Sequence, residues 1–410
     1  MWYHNMTNLL LTLVFIGLPT CATSSEYGFH NFEQWLTLSY NEENARFTVN
    51  ELNVAFSISN RLILKATKQS DVKTQVAKNA AVNTVWLAYS GADFDYFIAE
   101  LDTYQNLFSV ANELNQLGDV ILVQPDLLQH RSKHSDKDLL ATIMSIPNKP
   151  KRSVGKISPN TGGHGVTVAI IDDGIDLTHP ALSHTNVAFS IDVTNKVFDA
   201  SPKSNTDTHG TKVAGIIFAA NTNQVQGLAP KASLVAIRQP DSWTSNTLVA
   251  FQIASLMKSD VINCSWTSLT LLEPVADVIT DLAKHGRGGK GTAVLIAAGN
   301  QGRAITRNAS EAAINEAIVV GGVQKHNKAR LELSNFGSTV DLWVPANTQQ
   351  TTVPTGEFGT FSLTSLATAK ASGLAARILA REPALTKVEL ERAMQHYLKN
   401  NNDITHNGRL

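Results

Sequence analysis

The feature that most constrains this chain is a series of short, wholly apolar runs separated by helical stretches. From Gly165 onward these are "VTVAII", "SLVAIR", "VINCSW", "AVLIAAG" and "AIVVGGV". Each is short for a helix and lacks the polar alternation of a half-exposed strand. Unbroken apolarity of this length suits strands covered on both faces, the condition of a parallel sheet. "GTKVAGIIFAA", "TLVAFQIASLMKS" and "EPVADVITDLAKHG" lie between several of the runs with apolar residues at helical spacing. Alternating strands and helices predict an α/β domain over 165–410, a parallel sheet flanked by helices. The domain closes with "ALTKVELERAMQHYL", in which Thr386 and Glu389 have capping-box spacing.

Upstream the pattern is mixed. "LNVAFSI", "RLILKA", "NTVWLAYS" and "DVILVQP" read as strands. "DFDYFIAELDTYQNLFSVANELNQLG" carries apolar residues at helical spacing and stops at Gly118, which predicts a helix with a glycine C-cap. Together they predict a small α+β domain over 23–130. Residues 131–164 are rich in Lys, Ser, Pro and Gly and read as a linker. Lys151–Arg152 within "KPKRS" is a candidate processing site.

The first 22 residues resemble an export signal. Leu9 to Leu18 is apolar apart from Thr12, too short to span a bilayer but right for a signal core. Thr20 and Ala22 suit cleavage after Ala22. "LPTC" also fits a lipoprotein box, in which Cys21 would carry a lipid anchor. A secreted, periplasmic or cell-envelope protein is expected, with no membrane span once the signal is gone. Only Cys21 and Cys264 are present, so neither a disulfide framework nor a cysteine metal site can form. A net charge of −1 gives no footing for nucleic acid as a partner. "TGGHGVTV" and "GRGGKGTAVL" are glycine-rich but precede strands and lack Walker order, so they are read as turns.

In open α/β sheets, sites form beyond the carboxyl ends of the strands. "VTVAIIDDGID" ends its strand at Asp172, with Asp173 and Gly174 following. "DTHGTKVAG" puts His209 at the mouth of a helix, before Gly210. "GTAVLIAAGN" ends at Asn300. "SLTSLATAKASGLAARIL" puts Ser365 where a small-residue turn enters a helix, as an expected cap-position residue. Taken alone, each has a structural explanation: a turn acid, a helix-start histidine, a turn asparagine, a helix cap. Taken together they supply an acid, a base, an amide donor and a hydroxyl in the order Asp, His, Ser, one of the known triad orders.

On these motifs the chain resembles the subtilisin-like serine peptidases. "AIIDDGID", "HGTKVAG", "AAGN" and "TSLA" match the family's four signatures in order, and the likeness runs from about Gly165 to Leu398. Asp173 and "GRGGKGTAVLIAAGN" are similar to the kexin branch. The resemblance implies a subtilisin-like fold and an exported serine endopeptidase. Asp172, His209 and Ser365 would be the triad, Asn300 the oxyanion donor, and Ser265, Trp266 and Thr267 the lining of a substrate pocket. For Trp266, a pocket wall and plain core are both open. The resemblance also implies that 23–130 is a prodomain acting as intramolecular chaperone and inhibitor. No cofactor is implied; calcium is common in the family, but no ligand loop is legible. The substrate would be a peptide or protein. "SWTSLTLLEP" holds no acid beyond Glu273, so a preference for basic residues is not supported. The family usually has Gly two places before the serine, and here Leu363 stands there; Ala369 replaces a usual Pro. Glycine is used where backbone needs φ > 0 or close approach. The leucine therefore opens the alternative of a degenerate member that binds peptides without cleaving them.

Overall fold

The computed structural model describes residues 27–41, 46–129, 131–132, 162–220 and 222–404. The export signal, Cys21 and Lys151–Arg152 lie outside the described residues.

The N-terminal part contains β1 (Gly28–Asn31), β2 (Gln34–Asn41), β3 (Arg46–Val49), β4 (Val54–Thr67), α1 (Val72–Val76), β5 (Val82–Ser90), β6 (Phe94–Leu101), α2 (Leu107–Leu114) and β7 (Val120–Leu128). A two-residue strand, β8 (Arg131–Ser132), follows. The first seven strands make one antiparallel sheet in the order β1-β2-β3-β4-β6-β5, with β7 also on β4.

Three expectations are corrected here. The helix predicted from Asp93 onward is a strand in its first half: Phe94–Leu101 pairs with β4 and β5. Its side chains are buried on both faces, which removes the period-2 signal. Tyr96 and Ile98 join a core shared with the second domain, while Phe97, Ala99 and Leu101 join the core under α1 and α2. Only Leu107–Leu114 is helical, and Asn115, not Gly118, is its C-cap. The two strands expected in 52–66 are one 14-residue strand, because β4 pairs β3 at its start and β6 at its end.

The second part contains β9 (Thr167–Asp172), β10 (Asn186–Asp192), α3 (His209–Phe218), β11 (Ser233–Arg238), α4 (Thr244–Leu256), β12 (Val261–Cys264), β13 (Thr267–Ser268), α5 (Glu273–Gly289), β14 (Ala293–Ala297), β15 (Ile318–Val323), β16 (Leu342–Pro345), β17 (Gln349–Thr352), β18 (Phe358–Phe361), α6 (Leu363–Arg381) and α7 (Lys387–Asn400). Seven strands form a parallel sheet in the order β10-β11-β9-β12-β14-β15-β16. Along β9, Val168 and Ile170 enter one core and Ala169 and Ile171 the other, all with no exposure. This explains the unbroken apolar runs. Thr386 and Glu389 form the expected capping box.

The chain leaves β9 toward β10 and β11, then crosses to β12 on the other side. This reversal opens a crevice at the carboxyl ends of β9 and β12, where open α/β sheets bind ligands. The N-terminal sheet packs on the α4 and α5 side. The Tyr89 hydroxyl donates to Asp281 at 2.7 Å and the Tyr96 hydroxyl to Asp277 at 2.6 Å. Asp126 accepts from the Ser245 N–H at 2.9 Å and the Ser245 hydroxyl at 2.8 Å, serving the first turn of α4 from outside. At the end of β7, Leu128 is bridged to Trp243, and β8 pairs antiparallel with β13.

Candidate active site

Asp172 is the last residue of β9 and is 1% exposed. His209 opens α3, and its Nδ1 lies 2.9 Å from both carboxylate oxygens of Asp172. A carboxylate only accepts, so Nδ1 carries a proton, and a neutral ring in this tautomer has its lone pair on Nε2. Nε2 is buried and makes no hydrogen bond among the described residues. The Phe361 ring stands edge-on to the imidazole at 5.3 Å. Gly210 is required for close approach: a Cβ there would meet the Gly174 carbonyl oxygen at 2.4 Å.

Behind this pair lies a buried ion cluster that sequence reading did not find. Arg238, at the end of β11 and in register with Asp172, holds Asp192 and Asp207 through separate nitrogens at 2.6 Å each. Asp207 stands two residues before His209. The only signal in the sequence was a charged residue ending an apolar strand.

Ser365 is not a cap residue, which corrects that expectation. The N-cap of α6 is Ser362, and Ser365 lies inside the first turn, 4% exposed. First-turn N–H groups have no helical acceptors, so each needs an external one. The Leu363 N–H goes to the Ala346 carbonyl at 3.2 Å and the Thr364 N–H to Asn300 Oδ1 at 3.1 Å. The Ser365 N–H has no acceptor among the described residues. The Ser365 hydroxyl donates to the Ser265 carbonyl at 2.9 Å rather than to His209. Leu363 has φ +62° and is buried, so a bulky side chain occupies the left-handed region that favours glycine.

Asn300 follows β14 by three residues. Its Oδ1 accepts from both the Thr364 N–H and the Thr364 hydroxyl, the latter at 2.7 Å. Two donors on one oxygen fix the amide so that its NH2 points away from Thr364, and no described residue accepts from it. Thr364 is thus a functional neighbour that sequence reading passed over within "TSLA".

Ser265 and Thr267 lie just after β12. The Ser265 hydroxyl donates to the Ser365 carbonyl at 3.2 Å, and Thr267 belongs to β13, whose ladder atoms pair with β8. Trp266 is 1% exposed and packs in the core, and its Nε1 donates to the Ile171 carbonyl at 2.7 Å. Cys264 is a buried strand residue. Glu273 accepts from the Phe32 N–H at 2.5 Å and is engaged with the N-terminal sheet. Burial, and next the charge of Asp277, push its carboxyl above the usual range. No group of three or more His, Cys, Asp or Glu that could hold a metal occurs among the described residues.

Comparison with known proteins shows what the chain is similar to. The model of the subtilase family, Peptidase S8, matches residues 163–409. Subtilisin NAT from Bacillus subtilis subsp. natto is 35% identical over 242 residues, covering 56% of this chain and 59% of that protein. Thermitase from Thermoactinomyces vulgaris is 33% identical over 215 residues, covering 52% of this chain and 74% of that protein. The chain thus spans less than two thirds of the subtilisin it matches. Among solved structures, an S41 psychrophilic protease superposes with a TM-score of 0.51 at 25% identity, covering 60% of this chain and 86% of that one. A cold-adapted subtilisin-like serine proteinase shares the fold at a TM-score of 0.50 and 24% identity, covering 62% of this chain and 89% of that one.

Proposed function

The chain belongs to the subtilase family, and from that premise we propose that it is a serine endopeptidase hydrolysing peptide bonds through Asp172, His209 and Ser365. The observation that carries this reading is the buried Asp172–His209 pair. It leaves His209 Nε2 with no hydrogen-bond partner among the described residues.

In the proposed reaction the Ser365 hydroxyl leaves the Ser265 carbonyl and gives its proton to His209 Nε2 as its oxygen attacks the scissile carbonyl carbon. The C=O pair moves onto oxygen, and that oxyanion is received by the Asn300 NH2 and the Ser365 N–H, the two donors left unpartnered above. Collapse expels the amine, which takes the proton from Nε2. Water then repeats the sequence on the acyl-serine with the same base. Asp172 stays ionised throughout, holding the ring's tautomer and stabilising its cation.

The N-terminal sheet is proposed as a prodomain over 23–130. Support comes from Asp126 serving the first turn of α4 and from Leu128, the last residue of β7, bridged to Trp243, which tie the domain to the protease part. Export by the first 22 residues, with a secreted or envelope location, belongs to the same proposal. No helix among the described residues is long and apolar enough to cross a membrane.

The test compares the full-length chain with its Ser365→Ala variant by intact mass and by labelling with a serine-directed fluorophosphonate. The parent is expected to shed its N-terminal part and take the label, and the variant to do neither. A folded parent that stays full length and unlabelled would overturn the proposal in favour of peptide binding without cleavage.

A further inference from the structure

The helix that carries His209 is capped from an unexpected place. Its N-cap, Thr208, makes no side-chain cap hydrogen bond. The first-turn donors go instead to the carboxylate of Asp173, which is 5% exposed. Oδ1 accepts from the Gly210 N–H at 2.8 Å and Oδ2 from the His209 N–H at 3.2 Å. The same residue reaches the other member of the pair, since its own N–H donates to Asp172 Oδ1 at 2.8 Å. Its backbone thus fixes the rotamer of the Asp172 carboxylate while its side chain fixes the backbone from which the imidazole springs. The next residue, Gly174, turns at φ +138°, and Gly210 has no Cβ to push the turn away. A carboxylate at this end of a helix is also favoured by the helix dipole.

We propose that Asp173 is a positioning residue for hydrolysis, holding Asp172 and His209 in register with each other. This rests on the serine-peptidase reading above and adds a residue that the triad alone does not include. Asp173 acts through the pair and needs no contact with substrate.

The test uses enzyme recovered from the full-length chain as the parent, Asp173→Ala and Asp173→Asn, with active sites counted by the fluorophosphonate. Displacement of a reacting group by about 1 Å costs roughly 100-fold, so Asp173→Ala is expected to lose about 10- to 100-fold in kcat per titrated site, with KM within about twofold. Asparagine keeps an oxygen for the Gly210 N–H at nearly the same volume, so kcat is expected to recover to within about tenfold of the parent. Asp173→Val, which likewise lacks an acceptor, replaces the alanine variant if that one does not fold, with the same loss expected. A second readout needs no turnover. In the Ser365→Ala chain labelled with 15N-histidine, the His209 Nδ1–H resonance is expected far downfield, as for a proton held by a carboxylate. It is expected to move upfield or disappear when Asp173→Ala is added and to persist with Asp173→Asn.

If the parent takes no label, the peptidase reading fails and the resonance alone judges the positioning role. If the parent is active and Asp173→Ala leaves both kcat and the resonance unchanged, the positioning role is overturned and the peptidase reading stands. A loss confined to KM would make Asp173 a substrate contact and also overturn the proposal.

Discussion

At Leu363 the backbone sits at φ +62°, where a residue with a Cβ is strained by about 1–2 kcal/mol. Replacing leucine with glycine relieves that strain but also removes a buried side chain, so the direct comparison mixes two effects. Leu363→Gly against Leu363→Ala separates them, because both lose the side chain and only glycine is at ease there. The glycine variant is expected to be the more stable by about 1 kcal/mol in urea unfolding, the reverse of the usual helix order. It is also expected to keep or raise the rate on a peptide substrate. An alanine variant at least as stable as the glycine variant would show that the turn is not strained. At Asn300, Oδ1 is spent on Thr364, so its proposed role falls to the NH2. Asn300→Ala is expected to lower kcat by about 10²–10³ with KM little changed, measured on enzyme counted by active-site label.

Between elements, one tie of the N-terminal sheet is Asp126 on β7. It is fully buried, paired with Arg61 at 2.7 Å, and serves the first turn of α4. Burial pushes its carboxyl up, and the Arg61 guanidinium and the Ser245 donors pull it back. Removing one member of such a pair leaves the other uncompensated and costs about 3 kcal/mol, the low end of the usual range because Arg61 keeps some solvent contact. In the full-length Ser365→Ala chain, Asp126→Ala is therefore expected to speed limited proteolysis of residues 27–129 severalfold while the α/β part stays resistant. Equal cleavage rates in the two chains would mean that Tyr89, Tyr96 and β8 hold the sheet without Asp126.

For the whole molecule, acid and base act through buried carboxyls as well as through the site. Asp341, just before β16, has its carboxyl pushed up to about 6, first by burial and then by the charge of Glu391, against the pull of the Val319 N–H. Its ordinary value is 3.8. The folded chain therefore binds this proton more tightly than the unfolded one. The group's contribution is fully present below about pH 4 and is lost as pH rises through about 6. Asp341→Asn, which keeps an oxygen for the Val319 N–H, is expected to melt higher than the parent at pH 7–8 and to lose that advantage at pH 4. Melting curves across that range check it, and a constant offset at every pH would contradict it.

Much of the fold and the site was legible in the sequence because two of its signals are local. Unbroken apolar runs announce strands covered on both faces, and they foretold β9, β11, β12, β14 and β15 of the parallel sheet. The motifs around Asp172, His209, Asn300 and Ser365 are short enough to be read without a partner. Other features depended on segments that meet only when the chain folds. β6 read as a helix because the second domain covers one of its faces and α1 and α2 the other, and period 2 survives only when one face meets water. Trp266 became core through the Ile171 carbonyl, and Ser365 moved from cap to first turn through the Ala346 and Asn300 acceptors. Asp173 and Arg238 gained their roles from residues 31 to 46 positions away. The sequence by itself determined which groups are present and the period of each element. Only tertiary structure decided which donor meets which acceptor, because buried polar groups must be paired and their partners are fixed by packing, not by proximity along the chain.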